Sequence, residues 1–113
     1  MLDKKKFYIN GKWIESNKEN IYDVINPSNE EIFAKISLGS IEDVNIAVMA
    51  AKKAFESWRE VSKDEKIKLL ENLLKIYKKR SKEMAQAISM EMGSPIDWSL
   101  EVQTASGQSH LED

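Results

Sequence analysis

The chain contains no cysteine, which removes disulfides, thiolate metal sites and a cysteine nucleophile from what its own 113 residues can do. A single histidine, His110, leaves no second imidazole for a metal pair and no Ser-His-Asp pattern to activate a hydroxyl. The four glycines, Gly11, Gly39, Gly93 and Gly107, stand apart, so neither a GxGxxG turn nor a Walker-type phosphate cradle is present. There are only two prolines and no Pro, Gly or Ser-rich tract that would argue for disorder. No apolar run has the length of a bilayer-crossing helix, and the charged opening from Met1 to Lys6 lacks the apolar centre of a signal peptide. The default expectation is therefore a cytoplasmic protein. Excess charge of one sign is missing too. With 17 basic and 19 acidic residues intermixed and a formal net charge of -2, there is no long-range field to gather nucleic acid or an anionic membrane. Neither partner is expected.

What is present is the composition of a globular protein, 42% hydrophobic and 32% charged. The length suits one domain that buries roughly two thirds of its unfolded surface, and a single core rather than two domains is the expectation. The first third reads as β structure. Phe7 to Ile14 is an aromatic and β-branched run split by Asn10-Gly11, the pair that best tolerates the positive φ angles of a two-residue hairpin turn. Ile21 to Ile25 predicts a short strand stopped by the turn cluster Asn26-Pro27-Ser28-Asn29. Ile32, Ala34 and Ile36 then alternate with Phe33, Lys35 and Ser37, which predicts another.

At Leu38-Gly39-Ser40 the period changes from two to 3.6. Ser40 and Asp43 resemble a capping pair, and Val44, Ala47, Val48, Ala51, Ala54, Phe55 and Trp58 recur down one helical face, Trp58 as a core residue. Ser62 and Glu65 form a second box ahead of Ile67, Leu70, Leu73, Leu74 and Tyr77. A third helix from Ser81 is expected to stop at Gly93, and Ser94-Pro95 reads as an N-cap with proline at the first helical position. The helix that follows meets no stop signal before His110-Leu111-Glu112-Asp113, which reads as a cut through a helix in an incomplete sequence, with a frayed tail as the alternative.

Candidate chemistry is sparse. Asp97 and Glu101 share a helical face, an arrangement that a solvated surface explains better than acid-base work. His110 reads as a surface residue. The basic run Lys75, Lys78, Lys79, Arg80 and Lys82 lies where cations suit the end of a helix dipole. Met90 and Met92 cannot share one helical face, so at least one points away from the local core.

Taken in order, Tyr8-Ile9-Asn10-Gly11-Lys12-Trp13, then Asn26-Pro27-Ser28-Asn29-Glu30-Glu31-Ile32, then Glu42-Asp43-Val44 through Ala47, Ala50, Ala51, Ala54 and Phe55 to Trp58, resemble the opening of NAD(P)-dependent aldehyde dehydrogenases. The Leu69-Leu70 to Leu73-Leu74 helix and the Glu91-Met92-Gly93-Ser94-Pro95 junction are similar to that family as well. The resemblance covers essentially the whole chain but only about the first quarter of a typical member. It implies an α/β fold, with residues 1–113 as the N-terminal part of a Rossmann-like nucleotide-binding domain: hairpin and strands over 7–37, three to four helices over about 41–113, incomplete at the C-terminus. It also implies oxidation of an aldehyde to a carboxylic acid, with NAD or NADP as cofactor, in an enzyme that is a homo-oligomer when complete.

The family's cysteine nucleophile, its glutamate and its oxyanion donors lie downstream of the matched region. No catalytic or cofactor-binding residue is therefore assigned, and the segment alone is expected to be inactive, to bind no cofactor, and to have the remainder of the same chain as its partner. Some members hold a monovalent cation at positions that match the Ile25 carbonyl and Gln103, where an acidic residue is more usual. The reading from a different class is a free-standing, non-catalytic α+β module that binds a protein partner through exposed helical faces.

Overall fold

The computed structural model describes residues 1–113, which divide into two compact units, Met1–Ile25 with Glu31–Val61 and Asn26–Glu30 with Ser62–Asp113. Ala34 in the first unit and Ala85 in the second are the buried hydrophobic residues, and large apolar side chains of the helices, Phe55 and Leu70 among them, are exposed.

In the first unit, β2 (Phe7–Ile9) and β3 (Lys12–Ile14) pair antiparallel, with Tyr8 opposite Trp13. Asn10 and Gly11 have φ of 51° and 74°, the doubly left-handed turn expected of that dipeptide. The Tyr8 and Trp13 rings lie 5.2 Å apart across the strands, a tilted aromatic pair of the kind that pins hairpin register. A second sheet has the order β1, β5, β4, built from Leu2–Lys4, Glu31–Ser37 and Ile21–Asn26. The first of these strands is absent from the sequence reading. Leu2–Lys4 carries no alternation of its own, and it is made a strand by parallel pairing with β5, Leu2 against Ala34 and Lys4 against Ile36. Helix α1 (Ile41–Trp58) follows, and its capping box is real: the Ser40 side chain accepts from Asp43 N while Asp43 accepts from Ser40 N. Its stripe is not buried. Trp58, expected in a core, is 45% exposed, and Phe55 is 59% exposed.

In the second unit, the Asn26–Glu30 turn closes on Asn26, whose carbonyl accepts from Glu30 N at 2.8 Å and whose side chain accepts from Ser28 N at 2.9 Å. Helix α2 (Lys63–Lys79) starts with the Ser62/Glu65 box. Arg80 alone separates it from α3 (Ser81–Met92), which ends at Gly93 with φ 71°. A Cβ on Gly93 would sit 2.8 Å from the Pro27 ring, so both backbone conformation and packing require glycine there.

The start of the next helix corrects the expectation. Pro95 occupies the N-cap position with extended ψ of 138°, and the Ser94 hydroxyl bonds to Ser99 and Gln103. The helical run proceeds as α4 (Ile96–Trp98), a π-helical segment Ser99–Thr104, and α5 (Ala105–Glu112). The π segment was not foreseen, since one extra residue per turn leaves little trace in a short apolar pattern.

Candidate functional site

Two polar clusters are built deliberately, one in each unit. In the first, the loop ahead of β4 is clasped to the start of α1. Asp43, only 4% exposed, accepts from the Asn17 N–H at 2.7 Å, the Ser16 hydroxyl at 2.6 Å, and the N–H and hydroxyl of Ser40 at 2.8 and 2.9 Å. The Asn17 N–H foremost, then the Ser16 hydroxyl and the Ser40 N–H, hold its carboxyl far below the usual 3.8. A carboxylate with so little proton affinity is a structural anion and no general base at neutral pH.

The second cluster surrounds the π segment. The Ser94 hydroxyl lies 2.6 Å from Ser99 Oγ and donates to Gln103 Oε1 at 2.9 Å. Because the Ser94 hydroxyl has one proton and the amide oxygen only accepts, Ser99 is the donor within the serine pair. The Gln103 amide then faces Met92 Sδ at 3.8 Å, while the Ser89 hydroxyl donates to the Ser94 carbonyl at 2.8 Å. On the opposite flank, Tyr77 of α2 donates to the Thr104 carbonyl at 2.9 Å. Gly107 makes room for that phenol, since a Cβ there would fall inside van der Waals contact of the Tyr77 oxygen. These neutral hydroxyls and amides order a backbone. None is paired with a base that would make it a nucleophile.

The residues singled out from sequence fall as follows. Ile25 is an exposed residue of β4 in the first unit, and Gln103 belongs to the π segment in the second, its side-chain oxygen already accepting from Ser94. Asp97, Glu101 and His110 are exposed. Of the basic run, Lys78 and Lys79 do close the last turn of α2; Lys78 bridges to Glu112 at 2.6 Å and Arg80 to Glu83 at 2.9 Å. Met90 and Met92 are both exposed, Met92 at 66%. No group of three or more His, Cys, Asp or Glu side chains is placed to hold a metal ion, and no helix is long and apolar enough to cross a membrane.

Sequence reasoning missed Ser16, Asn17, Ser94, Ser99, Tyr77 and Gly107 as cluster members. Most pair across long stretches of chain. The one local signal was an isolated glycine inside a helical pattern, Gly107, of the kind that marks close packing.

Comparison with known proteins identifies the setting of these clusters. The sequence profile described as the aldehyde dehydrogenase family matches residues 13–112. A 3-succinoylsemialdehyde-pyridine dehydrogenase from Pseudomonas is 40% identical over 112 residues, which are 98% of this chain and 24% of that protein. The crystal structure of an aldehyde dehydrogenase from Bartonella henselae superposes with a TM-score of 0.97 at 52% identity, covering 99% of this chain and 24% of its own. An aldehyde dehydrogenase C variant from Pseudomonas syringae, crystallised with NAD+ and octanal, gives 0.93 at 34% identity, over 96% of this chain and 22% of its own. The chain thus spans about a quarter of the length of these relatives and corresponds to their N-terminal portion. Its backbone superposes on that portion, and the chain belongs to the aldehyde dehydrogenase family.

Proposed function

We propose that residues 1–113 act as the N-terminal scaffold of an NAD(P)-dependent enzyme that oxidises an aldehyde to a carboxylic acid, as part of its nucleotide-binding domain, and that they contribute no catalytic group. The observation that carries this reading is the near-coincident backbone of the Bartonella henselae enzyme, combined with an α1 stripe whose large residues the first unit leaves exposed. A helix face with Val44 at 57% and Phe55 at 59% exposed is one shaped for apolar cover, and family members are about four times longer than this chain. The absence of cysteine means that a thiolate nucleophile has to come from outside these residues. NAD+ in the Pseudomonas syringae relative supports a nicotinamide cofactor for the family-length enzyme.

A cytoplasmic homo-oligomer that binds neither nucleic acid nor membrane belongs to the same proposal. So does the monovalent cation that the resemblance assigns to the Ile25 carbonyl and Gln103, both hard oxygen ligands. The test is the intact mass of the protein from its native source, followed by aldehyde-dependent reduction of NAD+ and NADP+. The expected result is a mass several times 13.0 kDa with activity, and no activity for the 113-residue chain by itself. A native mass near 13.0 kDa, or a long native chain that reduces neither cofactor with any aldehyde, would overturn the proposal.

A further inference from the structure

The π segment is held by bonds that a regular α-helix would not need, and it forgoes one that a regular helix would supply. Thr104 is 2% exposed, and its Oγ1 has no hydrogen-bond partner. In an α-helix a threonine hydroxyl bonds readily to the carbonyl four residues earlier, here that of Leu100. A π turn runs its ladder to the carbonyl five residues back, and this moves the Leu100 carbonyl away from that role. What the π register gains is the bond from Tyr77 Oη to the Thr104 carbonyl, together with the grip of Ser94 on Ser99 and Gln103. The Thr104 hydroxyl bond is thus exchanged for these bonds, each of the strength of one neutral hydrogen bond, so the balance between the two arrangements turns on a few such bonds.

We propose that residues 96–112 are a two-register helix, in which the Tyr77 hydroxyl selects the π register over an α register where Thr104 Oγ1 bonds to the Leu100 carbonyl. Relaxing the wide turn rotates everything beyond it by about 100° relative to the residues before it. Glu112 then leaves Lys78, and Gly107 turns away from the Tyr77 ring that its missing side chain accommodates. Tyr77 is a positioning residue in this scheme. The pair Lys78 and Glu112, with Nζ and Oε1 2.6 Å apart, reports the register.

The experiment uses the whole chain. Zero-length carbodiimide coupling of Lys78 to Glu112 is mapped by peptide mass, with helix content followed by circular dichroism. Tyr77→Phe is expected to shift the ratio of the π to the α register about fivefold toward α, the ratio that corresponds to one neutral hydrogen bond, and so to lower the coupled yield with helix content unchanged. Thr104→Val takes from the α register its hydroxyl bond and holds the yield at or above that of the unmodified sequence. Combining Tyr77→Phe with Thr104→Val restores it. Unchanged coupling in Tyr77→Phe, loss of coupling together with helix content, or a combined variant that fails to recover would each overturn the two-register helix.

Discussion

Asp43 shows how much a single side chain organises in the first unit. The capping half of its role, with Ser40, is local and readable from three-residue spacing. The other half, with Ser16 and Asn17, closes a loop 26 to 27 residues away and leaves no mark in the sequence pattern. Because the folded carboxyl sits below the usual 3.8, its contribution to stability is complete above that value and is lost as the pH falls through the lower folded value. The Asn17 amide proton should therefore stay protected from exchange at neutral and mildly acidic pH, then open as Asp43 protonates. Asp43→Asn should remove both the protection and its acid dependence, since an amide NH2 then meets the donors of Ser16, Ser40 or Asn17. Asn17 protection in Asp43→Asn that equals the parent's would show that the clasp contributes nothing.

At the scale of elements, the same bonds that shape the last helical run reverse an ordinary expectation for Gly107. Alanine inside a helix normally gains up to about 1 kcal/mol over glycine. Here the added Cβ would crowd the Tyr77 phenol and push it from the Thr104 carbonyl, so Gly107→Ala should instead destabilise the second unit by roughly 1–3 kcal/mol, the cost of overpacking. Thermal unfolding settles the sign, and a raised midpoint would mean that Tyr77 yields without loss. The elements themselves were legible where local chemistry dictates them: Asn10-Gly11 with its hairpin, the Ser40 and Ser62 boxes, Gly93 as a stop. Leu2–Lys4 was not, because its strand exists only through Ala34 to Ile36. Nor was the π turn, whose bonds run to Tyr77 and Ser94 outside it. The misplaced cap at Ser94-Pro95 belongs with it: Pro95 takes the N-cap position, and the Ser94 hydroxyl bonds to Ser99 and Gln103.

For the molecule as a whole, the apolar periodicity of α1 identified a face correctly and misjudged what covers it. Full burial of a large apolar side chain stabilises by about 1.5–3 kcal/mol, and Val48 and Phe55, 46% and 59% exposed, collect only part of that within this chain. The remainder is available to whatever covers the stripe, including a dye or another copy of the chain. Strong ANS fluorescence and association that rises with concentration are the expected behaviour of the 113-residue chain in solution. The control follows from the same exposure. Substituting a residue that packs against little costs within about 0.5 kcal/mol, so Val48→Lys with Phe55→Lys should weaken dye binding and self-association while the helix signal is kept. A dye-silent, monomeric parent would remove the argument that these residues are shaped for cover. Collapse of helix content in the doubly substituted chain would show instead that the stripe is already packed and that α1 supports the first unit from within.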